Sequence, residues 1–540
     1  MKFRYWLIAI VVLAAALRFV PIWFGLPFAQ ARPDETAALG LAVSVRSRDL
    51  NPHFFHWPSL TLYLFAAVHT VLSWVRAAAG GTSALAFADL MISARAVVAT
   101  AGTLTVVVVF VMARRMGGPI LGLLSAFFLA VSILHVRDSH FAMTDVLMTF
   151  FSTTSLMLLL RALDAAELDR VKPIAWFALS GLVAGLATST KYNAGALVAA
   201  MAGAQVWLLA HRRHSPWRLQ SWLPSLAFGL CLIRGFVAGT PYAVLDYRAF
   251  TNDLLFDLTH LSGGHGVDLG RGWVYHLTTT LPYGLGIPVF VAAIIGVAPM
   301  ARRFPRDMLV LGLFTVAFYL AIGSGRTVFF RYVLPLVPIL VFPAAVATER
   351  LAAWLAPRVN IRSGSSLLAA GLLVGGLGLM NCVWFDVLMA RTDSRVLAAE
   401  WLAPRLRPAD TLYDSGSEYT RLDLHELPHH SWGFDGATES FGHAGGDIPD
   451  WLILYESPLP SYTRTPQVLV TLARTRYFLI QTIQATRPRP ASAVFDLQDA
   501  FFMPVSRFDE VRRPGPTIRI YKRREASTAG SNEPDRGTSR

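Results

Sequence analysis

Residues 92–160 read ISARAVVATAGTLTVVVVFVMARRMGGPILGLLSAFFLAVSILHVRDSHFAMTDVLMTFFSTTSLMLLL. Three apolar runs, 92–112, 118–136 and 144–160, follow one another with only Arg114 and Arg115, then a cluster from His135 to Asp145, between them. At a rise of about 1.5 Å per residue, about 20 apolar residues in a helix match a hydrocarbon core about 30 Å thick. Lipid offers the backbone no hydrogen-bond partners, so a crossing segment must satisfy itself internally, as a helix does. The stretch predicts consecutive membrane-crossing helices whose charged punctuation falls at alternate faces.

The pattern extends both ways, with further apolar runs near 5–24, 174–189, 193–210, 220–240, 280–299, 308–323, 331–347 and 366–388. The expected fold is mainly α, a polytopic helical bundle of about 11 spans. Composition agrees, at 54% hydrophobic and 15% charged residues with a mean hydropathy of +0.46. The net charge of +13 sits in short loops and not on a basic soluble domain interleaved with aromatics, so nucleic acid is not an expected partner. Cys231 and Cys382 lie inside apolar runs and offer neither a disulfide framework nor metal-ligand spacing. Lys2 and Arg4 ahead of 5–17 have the look of a signal peptide, yet apolar character resumes after Arg18, which favours an uncleaved first span.

Sidedness turns on Pro58–Ala79, which is apolar but carries His69, Ser73, Trp74 and Arg76. If this segment does not cross, Arg114, Arg115, His211–His214 and Arg302–Arg306 all join the basic N-terminus on the cytoplasmic side, as positive-inside statistics favour. The expectation is therefore an N-terminus in the cytoplasm of a plasma or inner membrane, and a first extracytoplasmic loop, 25–91, whose helix 58–79 lies along the outer surface. Residues 1–389 form the membrane module and 390–526 an exported α/β domain. That domain is expected to be helical over Thr392–Leu402, with extended runs at Thr411–Tyr413, Trp451–Tyr455, Tyr477–Gln481, Phe501–Val505 and Thr517–Tyr521. Residues 527–540 are polar and Gly/Ser-rich, and are expected to be disordered.

This topology collects the ionisable residues on one outer face. Arg32-Pro33-Asp34-Glu35 follows the first span. Two acids behind a proline suit the first turn of any helix, but one of them can also take a proton from an acceptor hydroxyl. His135, Arg137, Asp138, His140 and Asp145 crowd eleven residues between two apolar helices, and Asp145 stands at the lip of a span, where an unpaired carboxylate is expensive. Lys191, in Thr188-Ser189-Thr190-Lys191-Tyr192-Asn193, either snorkels to headgroups or meets a lipid phosphate. Arg326 and Arg331 repeat the pattern at another turn, suggesting two cations on one anion. His260 and His265 bracket Ser262-Gly263-Gly264 without metal-site spacing. His53 and His56 sit among aromatics that also suit a membrane interface. There is no Walker loop, dinucleotide fingerprint, His-Glu-x-x-His or nucleophile elbow, which argues against nucleotide-driven pumping.

Taken together, Asp34-Glu35, Arg137 to Asp145, Thr190-Lys191-Tyr192-Asn193 and Arg331-Tyr332-Val333-Leu334-Pro335 resemble segments of the membrane glycosyltransferases of the protein O-mannosyltransferase and aminoarabinose transferase type, the GT-C fold. The resemblance runs from the N-terminus to about residue 400 and implies a polyprenyl-phosphate sugar as donor, with a lipid, polysaccharide or protein acceptor that receives the sugar on a hydroxyl, or on an amine or phosphate. It implies Asp34 as the base, supported by Glu35 and Asp145, and inversion at the anomeric carbon. Lys191 and Arg331 would stabilise the departing phosphate, with Arg137, His140, Tyr192, His56, His260, His265 and Arg326 as further substrate contacts. His56 stands near where the aminoarabinose transferases carry a lysine. A divalent metal is compatible with the sequence and not required by it.

The main rival is a secondary transporter or flippase for a lipid-linked or small anionic substrate, since Gly-interrupted helices with ionisable residues also line transport paths. A polysaccharide polymerase or ligase would concentrate arginines and a histidine in a large late outer loop, and the late turn here is short. A scaffold would tolerate loss of the charge at Asp34.

Overall fold

The structure is a computed structural model, and it describes residues 2–168, 173–211, 216–359, 362–441, 447–487 and 492–524; the 527–540 tail lies outside the described residues. The chain is a multi-pass integral membrane protein, a helical bundle followed by a smaller β-containing domain. Among the described residues eight helices are long and apolar enough to cross a membrane, or nine if one bent pair is a single span, and not the eleven expected. Two breaks account for much of the difference. The run 118–136 folds as Pro119–Ala130 and Ile133–Asp138, and twelve residues reach only about 18 Å. The run 280–299 bends by 114° between Gly272–Leu285 and Ile287–Arg303, where Gly286 takes a left-handed φ of +89°. Pro173–Thr188 is also short, and it packs on Leu223–Gly239 through glycines: a Cβ on Gly181 or Gly185 would fall 2.1 Å from a carbonyl oxygen of that helix.

The first helix, Lys2–Phe19, runs antiparallel to Phe87–Gly117. Arg114 stacks over Phe3 at one end, and Arg95 donates to the Ile22 and Phe24 carbonyls at the other. Pro33–Ser47 and Leu60–Ala78 return between them. Leu60 N donates to Ser189 O at 3.1 Å, His69 bonds the Leu90 carbonyl, and Arg76 forks onto Asp89, so helix 60–78 is held at the end where helix 87–117 begins. By length and composition 60–78 counts among the eight candidate spans.

The second domain opens with helix Ser394–Leu402. Its strands are β1 Thr411–Asp414, β2 His430–Ser431, β3 Phe434–Asp435, β4 Ser440–Phe441, β5 Trp451–Glu456, β6 Tyr477–Ile483 and β7 Thr517–Arg523. The main sheet has the order β2-β1-β5-β7-β6, parallel across β2-β1-β5 and antiparallel across β5-β7-β6. The central strand β5 reads Trp-Leu-Ile-Leu-Tyr-Glu and is buried for five of its six residues, as a strand covered on both faces should be. Phe501–Val505, expected as a strand, is not one. Phe501, Phe502, Met503 and Val505 instead join the hydrophobic core of the bundle, with Phe501 edge-on to Phe141 at 4.8 Å and to Phe24 at 6.1 Å. Burial of those apolar side chains among helices outweighs the strand-like look of a short apolar run, and it anchors the β-containing domain to one face of the bundle.

Candidate active site

At that domain-bearing face lies a cavity of about 380 Å³. Its walls include Asp34, His56, Asp145, Lys191, Tyr192, His265 and Arg331, seven of the twelve residues singled out from the sequence. Each arrives at the end of an element. Pro33 opens helix 33–47, so Asp34 and Glu35 occupy its first turn, where the exposed amide dipoles favour acids. Asp145 sits likewise in the first turn of Thr144–Glu167. Lys191 is extended between helix 173–188 and the short turn Tyr192–Ala196, and Arg331 stands in the turn Phe330–Leu336 that starts the next long helix.

Neighbouring positions on a helix point about 100° apart, which separates the two acids of the Asp34-Glu35 pair. Asp34 faces the cavity, about one-third exposed, with Arg331 Nη2 at 3.1 Å and Arg32 Nη2 at 3.6 Å. Glu35 points into the bundle and is fully buried: Arg95 forks onto it at 2.8 and 2.7 Å, and Ala142 N donates to it at 2.7 Å. It ties helices 33–47 and 87–117 to the 141–143 turn and does not line the cavity.

Lys191 Nζ donates to Asp145 Oδ1 at 2.6 Å and lies 4.7 Å from the Tyr332 ring centre. Arg331 Nε is 3.9 Å from Asp145 Oδ2, and its guanidinium stacks over Phe329. Tyr192 donates to the Phe55 carbonyl at 2.6 Å, fixing the wall that carries His56. His56 lies between Asp257, 3.0 Å from its Nδ1, and Asp253, 4.0 Å from its Nε2, both on helix Tyr247–Gly263. His265 packs on Phe329 and is 3.3 Å from the Tyr462 hydroxyl.

Besides Glu35, four singled-out residues lie off the cavity or outside description. Arg137 is completely buried on Asp499 and Asp138, behind the wall. His140 is buried deeper, bonding the Val136 and Val20 carbonyls, with Asp386 at 3.7 Å. Arg326 is exposed and pairs with Asp268, so Arg326 and Arg331 do not grip one anion. The His260 side chain lies outside the described residues.

The cavity also draws on residues the sequence did not single out: Arg32, Asp257, Tyr462, Gln498 and Asp499. Asp499 comes from the β-containing domain and meets Arg32, Arg331 at 3.4 Å and Arg137 at 2.8 Å. Burial alone would raise its pKa, but those three guanidiniums override burial and hold it below the usual carboxylate range. Asp496, three residues earlier, has burial and the Asp499 charge against it and is pushed up to about 7. Among the described residues no group of three or more His, Cys, Asp and Glu side chains is arranged to hold a metal ion.

Two comparisons bear on this arrangement. A family model for dolichyl-phosphate-mannose-protein mannosyltransferases matches residues 78–245, a stretch that holds Asp145, Lys191 and Tyr192. No curated protein matches the sequence. Among solved structures, ArnT from Cupriavidus metallidurans bound to undecaprenyl phosphate matches at a TM-score of 0.50 and 16% identity, over 95% of this chain and 98% of that one. At that identity the likeness is one of fold. The Archaeoglobus fulgidus oligosaccharyltransferase, tethered with an acceptor peptide, matches at a TM-score of 0.48 and 13% identity, over 74% of this chain. The match spans 57% of the length of that oligosaccharyltransferase.

Proposed function

We propose that this chain is a membrane glycosyltransferase that moves a sugar from a polyprenyl-phosphate donor to an acceptor hydroxyl, with inversion, at the extracytoplasmic face. The observation that carries the reading is the meeting of Asp34, Asp145, Lys191 and Arg331, from four separate parts of the chain, around one cavity. Two kinds of chemistry are within reach there: a carboxylate open to the cavity, and cations that can follow charge onto a phosphate.

The donor phosphate takes its place against Arg331 and Lys191, and in doing so competes with Asp34 for Arg331. An oxygen of Asp34 is then free to accept the hydrogen bond of the acceptor hydroxyl. As the acceptor oxygen bonds to the anomeric carbon, its proton passes to Asp34. The bond from that carbon to the phosphate oxygen breaks, and its electron pair leaves with polyprenyl phosphate. Asp145 holds Lys191 in place, and His56 and His265 stand where sugar hydroxyls would be met. On this reading helix 60–78 lies along the outer surface, the N-terminus is cytoplasmic and the domain from 390 onward is extracytoplasmic. The acceptor is an envelope lipid, polysaccharide or protein.

The test needs only purified protein in detergent with a polyprenyl-phosphate sugar and an acceptor. Release of polyprenyl phosphate in step with glycosylated product is expected. A transporter needs two compartments and would release nothing under these conditions, and that result would reject the proposal.

A further inference from the structure

A segment of the β-containing domain is threaded into the cavity wall. Within Asp496-Leu497-Gln498-Asp499-Ala500 every polar side chain grips the bundle. Asp496 accepts from Phe330 N at 2.8 Å. Gln498 accepts from Val328 N at 2.6 Å and donates to the Val267 and Arg326 carbonyls at 2.9 and 3.1 Å. Those bonds are enough to dock the segment. Asp499, 2% exposed, does something further: its one carboxylate serves Arg32, Arg331 and Arg137 together.

Arg32 and Arg331 line the cavity; Arg32 Nη2, 3.6 Å from Asp34, and Arg331 Nη1, 3.4 Å from Asp499, are in ion-pair range but make no hydrogen bond among the described residues. Guanidinium pairs of this kind take carboxylate or phosphate oxygens interchangeably. Without Asp499 these cations would lose one of the carboxylates around them, and the field at the cavity would turn more positive by one charge.

We propose that Asp499 is the internal counter-anion of the phosphate site: it positions Arg32 and Arg331 and, by weakening the field there, lets the polyprenyl phosphate product leave. The proposal rests on the glycosyltransferase reading above. Asp499 is a positioning residue in this account, since it acts through the arginines and not on the sugar. At an effective dielectric near 20, a unit charge a few ångströms from a phosphate changes its affinity by about tenfold or more.

The experiment uses the full chain in detergent and farnesyl phosphate, a short polyprenyl phosphate, as probe. Asp499→Asn keeps the size of the side chain and removes its charge. It is expected to bind farnesyl phosphate about tenfold more tightly than wild type, to complete a first turnover, and then to slow as product is retained. Asp499→Glu keeps the charge and is expected to bind within about threefold of wild type. If Asp499→Asn does not fold, Asp499→Ser, which also removes the charge and leaves room for water against the arginines, is expected to show the same tightening. A purely structural role predicts weaker binding together with lower thermal stability, and that result, or unchanged affinity, overturns the proposal. Failure of wild type to bind farnesyl phosphate is a different failure, and overturns the donor reading along with this one.

Discussion

The molecule carries a second charged groove at the face of the bundle opposite the β-containing domain. There Arg115 and Arg306 share Asp164 and Asp307, Arg306 also reaches Glu167, and Arg303 pairs with Glu349. That groove measures about 330 Å³, close to the 380 Å³ of the domain-face cavity, so size does not distinguish them. Completeness does. Arg115 donates twice to Asp164 and twice to Asp307, and Arg306 spends all three of its nitrogens on carboxylates. At the domain face Asp145 Oδ2, Arg32 Nη2 and Arg331 Nη1 are buried and make no hydrogen bond among the described residues, their opposite charges standing 3.9, 3.6 and 3.4 Å away. Charges that close on one another lock helices together; charges held near one another with bonding capacity left over are ready for a ligand.

The largest expected effect breaks this contrast at its active end. Asp34→Asn should lower kcat by about 1000-fold, within the range set by loss of a general base, with an unchanged melting temperature and retained binding of polyprenyl phosphate. Full transfer by the folded variant would leave the cavity without its base. The opposite groove should respond in the other currency. Asp307, nearly buried between Arg115 and Arg306, should cost about 3 kcal/mol of stability as Asn, read as a lower melting temperature, while transfer per folded molecule stays at the wild-type level.

The smallest effect is a pH dependence in the threaded segment. Asp496 is raised to about 7 from an ordinary carboxylate value of 3.8, so the folded state disfavours its charged form. Its penalty is absent below the ordinary value and grows as pH rises toward 7, after which it is constant. Asp499 has the reverse sign: its contribution is present above the ordinary value and is lost only as pH falls through its depressed folded value, below the range of the assay. Asp496→Asn should therefore raise the melting temperature relative to wild type by about 2 °C more at pH 8 than at pH 5. An equal offset at both values would mean Asp496 does not titrate between them.

Much of the domain-face cavity was legible because membrane segments confine charge to their ends. Asp34, Asp145, Lys191 and Arg331 each interrupt or terminate an apolar run, and such positions declare themselves in a sequence. Asp499 could not be found that way, since it ends no membrane-length apolar run and meets Arg137 across 362 positions of chain. Arg32 stood beside the acids in the quoted motif, yet nothing local says that it turns toward Asp499. Glu35 shows the converse limit: the same first turn that marks it as a candidate rotates it away from Asp34 into a buried pair with Arg95. The number of spans was overread for a related reason. Hydropathy counts apolar residues but does not see the stop at Val131-Ser132 or the turn at Gly286 that divide a run into shorter helices.

The central claim is that position 34 and position 191 share one pocket at one face of the membrane. Single cysteines introduced there, in a chain with Cys231 and Cys382 replaced, can be labelled with a membrane-impermeant thiol reagent in sealed vesicles of known orientation. The account predicts that both react from the extracytoplasmic side and that polyprenyl phosphate protects both. Labelling from opposite sides would leave no common pocket and would contradict it.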